Sequence, residues 1–165
     1  MIVTPRLLLR PFTLDDAQAF WDMNRDPQVL HYIGQPPIPS LAEAKAMMKK
    51  TALSDYANYG HGRLAVVHKA DNKVIGFCGI KYLPEMDERE LGYRLMPTYW
   101  RQGLATEAAA AALADGHQRL ALARIIALIH QDNLGSQGVA RSIGMQQQGW
   151  RRYFGKDVMC FCSEQ

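Results

Sequence analysis

The chain has 165 residues, 48% of them apolar and 21% charged, with a formal net charge of +3. That length supports one domain, residues 1–165, burying roughly two-thirds of its unfolded surface without metals or disulfides. No apolar run approaches the ~18 residues of a membrane span, and the scattered Lys and Arg form no basic stripe, so neither membrane nor nucleic acid is an expected partner. Met1 to Arg10 lacks an apolar stretch followed by a small-residue cleavage site, which makes a soluble, cytoplasmic protein the expectation. Cys78, Cys160 and Cys162 are too few and too badly spaced for a disulfide framework or a four-ligand zinc site. They read as small buried hydrophobes, and no metal is expected.

In chain order, Arg6 to Phe12 reads as a strand ended by Pro11. Thr13 with Asp15 and Asp16 offers a helix cap and first turn, with Phe20, Trp21 and Met23 on the apolar side. Asp26-Pro27 ends that helix before a short piece around Val29 to Ile33, and the prolines of Gly34 to Pro39 impose a loop. Ser40-Leu41-Ala42-Glu43 is a capping box opening a helix that carries Met47, Met48, Ala52 and Leu53 and runs to Tyr59-Gly60. The period then changes to that of strands over Leu64 to His68, Lys73 to Tyr82 and Glu88 to Met96, an antiparallel meander. A helix over Gly103 to Leu120, a strand over Arg124 to Ile129 and a shorter helix over Leu134 to Ser142, closed by Gly144, follow. Two strands, Met145 to Tyr153 and Val158 to Cys162, end the chain. The reading is an α+β or α/β domain, with a mixed, mostly antiparallel sheet of about seven strands flanked by helices.

The densest signal is Tyr99 to Glu107, where a strand passes through a tight glycine turn into an alanine-rich helix. The first amides of a helix have no intrahelical acceptor, and the macrodipole adds partial positive charge there, so such a junction binds phosphate. Gly103 permits close backbone approach, Ala105 adds little bulk, Arg101 supplies charge and Thr106 a hydroxyl. A nucleotide-dependent kinase or ATPase would need a G-x-x-x-x-G-K-[ST] loop, and Gly103 is not followed by one.

Five further segments stand in order around that turn: Thr4-Pro5-Arg6-Leu7-Leu8-Leu9-Arg10, Ile75-Gly76, Glu90-Leu91-Gly92-Tyr93-Arg94-Leu95, Asn133 with Ser136, and Ile143-Gly144-Met145. Together they resemble the GNAT acetyltransferase superfamily over nearly the whole chain, and within it the branch of the ribosomal-protein N-acetyltransferases. Trp100 stands where the family usually has Gln or Arg, which leaves binding by backbone amides intact.

The resemblance implies acetyl-CoA as donor, its pyrophosphate on the amides of Arg101, Gln102, Gly103, Leu104, Ala105 and Thr106. The strand ending at Leu95 and Met96 should diverge from its neighbour and pair with the pantetheine arm, one of those two amides polarising the thioester carbonyl. Pro97, which has no amide, fits that ending. A cationic amine acceptor must lose a proton, and Glu90 is the first candidate base; its competing reading is a solvated edge carboxylate in the acidic run Glu85, Asp87, Glu88, Glu90. Many relatives protonate the departing thiolate with a tyrosine, but the matching place here is Ala140. In the ribosomal-protein branch a serine three residues after the asparagine is the proposed donor, and here that is Ser136, whose competing role is helix capping. Asn133 should bind the pantetheine amides, and His117 should be a satisfied structural histidine.

The function so implied is N-acetyl transfer to a primary amine, with a protein N-terminal α-amine as acceptor by analogy with the branch. A small amine such as an antibiotic, polyamine or amino acid is the alternative, as is a non-catalytic CoA-binding module. Acceptor specificity should lie between Trp21 and Gly60, where Tyr32, Gln35, Tyr56 and Tyr59 occur, with His61 and the final strand pair. Monomer and homodimer are both compatible with the sequence.

Overall fold

The computed structural model describes residues 1–165. Its strands are β1 (Ile2–Val3), β2 (Leu7–Arg10), β3 (Arg63–His68), β4 (Lys73–Leu83), β5 (Glu88–Leu95), β6 (Arg124–Ile129), β7 (Gln146–Tyr153) and β8 (Lys156–Glu164). They form one sheet in the order β1-β2-β3-β4-β5-β6-β8-β7. Every neighbouring pair is antiparallel except β5 with β6. The fold is the expected α+β type with eight strands, one beyond the sequence count. The extra strand, β1, has two residues, too few for an alternating pattern to register.

Alternation along the strands sends side chains to two differently covered faces. On one face lie α5 (Leu104–Gln118) and α6 (Leu134–Ser142). Leu104, Ala108, Ala112 and Ala140 pack there against Leu91, Leu95, Ile125, Ala127, Ile129 and Phe161. The small residues of α5 let it sit close, and a Cβ at Gly116 would lie 2.2 Å from Ile80 Cδ1. On the other face α1 (Ala17–Met23) and α3 (Leu41–Met48) form a second core from Phe20, Met23, Ala44 and Met48 with Phe12 and Ala65. Between them lies the single turn α2 (Pro27–Leu30), capped by Asp26, whose side chain accepts the Gln28 amide at 2.9 Å.

Two expected helices differ in detail. The first opens on a 3-10 turn, Leu14–Asp16, where Asp16 accepts the Thr13 amide at 2.9 Å and pairs with both Arg10 nitrogens at 2.8 and 2.9 Å. The second has Ser40 as its N-cap, Oγ accepting the Glu43 amide at 3.2 Å, without the reciprocal bond of the expected capping box, and stops at Gly60 with φ +73°. Between α3 and α4 (Ser54–Tyr59) it widens into a π-helical segment, Lys49–Leu53. That widened turn resets the helical phase. Tyr56 of α4 reaches the sheet, where its hydroxyl accepts the Phe12 amide at 3.0 Å and donates to the Arg63 carbonyl.

Candidate active site

Strands β5 and β6 share one register pair, Glu90 with Ile126, and separate beyond it. The Met96 amide donates to the Ile75 carbonyl at 2.8 Å, on the β4 side. In an antiparallel ladder the neighbouring residue faces the opposite way, so the Leu95 backbone points into the gap toward β6. Of the two amides expected to meet the donor, Met96 is therefore committed to the sheet and Leu95 is the one presented. The Leu95 carbonyl accepts the Trp100 indole N–H at 2.7 Å, which ties the end of β5 to the following turn.

In that turn Arg101 (φ +60°) and Gly103 (φ +76°) both adopt the left-handed conformation. None of the amides from Arg101 to Thr106 donates a hydrogen bond within the protein, because the first helical bond runs from the Glu107 amide to the Gly103 carbonyl at 3.1 Å. A Cβ at Gly103 would meet only Arg6 Nη2, at 3.4 Å, so backbone conformation rather than space calls for glycine. Leu104 is buried and fixes the helix start in the core, while Gly103 and the side chains of Arg101 and Gln102 are exposed. The Gln102 side chain donates to the Thr98 carbonyl at 3.0 Å.

The sequence reading missed what holds this turn. Glu107 accepts Thr4 Oγ1 at 2.7 Å, the Arg6 amide at 2.8 Å and Arg6 Nε at 2.7 Å, and Arg6 Nη1 donates to the Gln102 carbonyl at 2.8 Å. The Thr4-Pro5-Arg6 segment is thus a brace for the start of α5. An acid in the first helical turn was visible in the sequence, but its partners stand about a hundred residues away.

Across the gap, Asn133 caps α6, its Oδ1 accepting the Ser136 amide at 3.1 Å. Capping therefore falls to Asn133 and not to the Ser136 hydroxyl. Instead the Ser136 carbonyl accepts the Tyr93 phenol at 2.7 Å, which links β5 to α6, and burial raises the Tyr93 phenol well above its ordinary range. His117 is satisfied as expected: its Nδ1 donates to the Leu122 carbonyl at 2.7 Å, and Nε2 accepts Ser163 Oγ at 2.9 Å.

On the other face Glu90 is buried, 6% exposed, and its carboxylate pairs with the Arg63 guanidinium. Arg63 also donates to the carbonyls of Gly79 at 2.9 Å and Glu90 at 3.1 Å, and lies over Gly92, where a Cβ would fall 2.3 Å from its Nη1. This overturns the solvated-edge alternative for Glu90. Glu85 and Asp87 are exposed, and Glu88 pairs with Arg124 at 3.3 Å and Arg151 at 3.0 Å.

Beside Glu90 on that face, Arg94 Nη1 donates to Asn24 Oδ1 at 2.6 Å. The guanidinium carbons of Arg63 and Arg94 lie 5.4 and 4.9 Å from the Phe77 ring centroid. Burial, with Arg63 close by, pushes Arg94 down to about 10. Tyr153 of β7 is pushed up to about 12 by burial and by the Glu90 charge, so its phenol stays protonated at neutral pH. Residues 24–32 arch from Arg94 to the end of β6, where the Tyr32 ring lies 5.4 Å from that of His130. Gly34 abuts the β7–β8 hairpin, since a Cβ there would lie 2.7 Å from Lys156 Nζ. Of the residues expected from sequence to govern acceptor choice, Tyr32 reaches this arch. Tyr56 is structural, and Tyr59 and His61 gather near Tyr82, at the end of β4 away from Gly76. No three or more His, Cys, Asp or Glu side chains form a metal-ligand cluster, and no helix is long and apolar enough to cross a membrane.

Compared with known proteins, residues 6–146 match the family model for the acetyltransferase (GNAT) domain. The uncharacterized N-acetyltransferase YnaD of Bacillus subtilis (strain 168) is 33% identical over 150 residues, covering 90% of this chain and 84% of that protein. An acetyltransferase from Agrobacterium tumefaciens str. C58 superposes with a TM-score of 0.85 at 27% identity, covering 99% of this chain and 94% of the other. RimL, a ribosomal L7/L12 alpha-N-protein acetyltransferase in complex with coenzyme A, shares the fold with a TM-score of 0.83 at 19% identity, over 98% and 96% of the two chains. Because the matched segment contains the strand that opens, the turn after it and the helix that follows, the chain belongs to the GNAT acetyltransferase family and is an acetyltransferase enzyme.

Proposed function

We propose that residues 1–165 act as one domain that moves an acetyl group from acetyl-CoA to a primary amine, by direct attack with both substrates bound. The observation that carries this reading is two sets of free backbone donors: the Leu95 amide facing the gap, and the amides of Arg101 to Thr106 at the start of α5. The first can pair with an amide-bearing arm and polarise the thioester carbonyl, and the second can hold a pyrophosphate. Asn133 Nδ2, the half of the side chain not used for capping, is available to the same arm.

The acceptor enters from the α1–α2 face, where Glu90, Arg63, Arg94 and Tyr153 stand. Its nitrogen attacks the carbonyl carbon, the C–S bond breaks, and the nitrogen's proton passes to Glu90 directly or through water. Glu90 Oε1 is held by Arg63, which leaves Oε2 as the proton acceptor. Ser136 Oγ, which has no protein partner, lies next to the cap of α6 and donates its proton to the departing sulfur while taking one up from solvent. The acceptor we favour is a protein N-terminal α-amine, read from the ribosomal-protein branch the sequence resembles.

The test is thiol release from acetyl-CoA by the full chain with a panel of short N-terminal peptides and free amines. Turnover with peptides above that with polyamines or aminoglycosides supports this reading. Turnover confined to free amines moves the acceptor to the small-molecule class. No thiol release with any amine, alongside tight CoA binding, would make the chain a CoA-binding module.

A further inference from the structure

Two guanidinium groups share the face where the acceptor enters, and the protein supplies one carboxylate between them. Glu90 pairs with Arg63. Arg94 has only the neutral Asn24 oxygen, at 2.6 Å, and its Nε is buried with no hydrogen-bond partner. Asn24 is locked in that role, because its Nδ2 donates to the Phe20 carbonyl at 2.7 Å. The other carboxylates nearby have cations of their own: Asp16 pairs with Arg10, Asp22 with Arg25, and Asp55, on the far side of Arg63 from Arg94, with Lys81 at 3.8 Å. A buried cation with an unfilled donor is costly unless an anion meets it, and a guanidinium meets a carboxylate best through two parallel N–H bonds. Arg94 also follows Tyr93 and precedes Leu95, the residue whose amide faces the gap.

We propose that Arg94, backed by Arg63, is the subsite for a carboxylate on the acceptor, so that the amine acetylated by this enzyme belongs to an anionic molecule. This deepens the acetyl-transfer reading above and rests on it. The positive field of the pair also disfavours the ammonium form of an incoming amine, which must be neutral to attack. The carboxylate comes either from an acidic side chain beside a peptide N-terminus or from the α-carboxylate of a free amino acid, and the two sources separate experimentally.

The experiment compares near-isosteric acceptors that differ in that charge, Ala-Glu-amide against Ala-Gln-amide and glycine against glycinamide, with each rate referred to the concentration of unprotonated amine. For the wild-type enzyme kcat/KM should favour the charged member of one pair by about tenfold or more. The pair that discriminates names the source. Arg94→Gln should erase the preference, with KM for the charged member rising about tenfold more than KM for the neutral one, and Arg94→Lys should restore part of it. Equal use of charged and neutral acceptors, or an Arg94→Gln loss equal for both, overturns the proposal. A second measurement needs no turnover: with CoA present, N-acetyl-Ala-Glu-amide or N-acetylglycine should raise the Tm of the wild type but not of Arg94→Gln, and their amides should raise neither. Binding of the charged products without turnover would sink the transfer reading and keep the subsite, whereas turnover without charge preference would do the reverse.

Discussion

Glu90 and Ser136 are single residues whose surroundings make their roles separable. Glu90→Gln keeps an oxygen for Arg63 and nearly the same volume, so the buried contact survives while the proton acceptor is lost. Turnover at neutral pH should fall by roughly 10²-fold with little change in CoA affinity, measured by steady-state rates and calorimetry; an unchanged rate would remove Glu90 from the chemistry. Ser136→Ala should lower kcat while leaving CoA binding intact, because Asn133 and not the serine hydroxyl caps α6. A parallel loss of affinity and rate would instead mark the hydroxyl as part of the binding surface. Arg63 and Arg94 stayed illegible in the sequence for a common reason. Their value depends on β3, β4 and β5 being neighbours, and an arginine in a strand pattern otherwise reads as a solvated alternation. Glu90 was legible as a candidate, but its burial was not.

At the scale of elements, the start of α5 is held by the β1–β2 segment through Glu107. Burial pushes the Glu107 carboxyl up, but the Thr4 hydroxyl, the Arg6 amide and the Arg6 guanidinium outweigh it and hold it below its ordinary value. A depressed carboxyl contributes stability that is present above its unfolded pKa and is lost as pH falls through its folded one. Glu107→Gln should therefore flatten the acid limb of a Tm-against-pH profile below about pH 5. At neutral pH it should cost about 2 kcal/mol, read by urea unfolding, with a raised KM for acetyl-CoA as the turn loosens. An unaltered acid limb would show that the brace adds nothing to stability. Helix starts, the meander and the phosphate turn were legible because caps, glycines and hydropathy period are local signals. The π-helical segment at Lys49–Leu53 was not, since it keeps a helical pattern and only shifts its phase. The brace was missed because Thr4 and Glu107 lie 103 residues apart.

For the whole molecule, the sheet is continuous on both sides of one weak seam. From β1 to β5 and from β6 to β7 the strands pair along their lengths, while β5 meets β6 at Glu90 and Ile126 alone. CoA at about a hundred times its Kd should stabilise the fold by about 2.7 kcal/mol, a rise in Tm of several degrees by calorimetry, with amide exchange slowed at Leu95 and from Arg101 to Thr106. A Tm rise without protection at those amides would place the ligand elsewhere. The seam has a consequence for how much a ligand disturbs the molecule. A guest lying along Leu95 breaks no strand pairing to enter, because none exists there, and so takes the place of a missing strand. Once seated, it makes the two parts of the sheet continuous through a molecule that the gene does not encode. On the proposed reading the chain is thus a sheet with one gap in its middle, and its substrate is the strand that fills it.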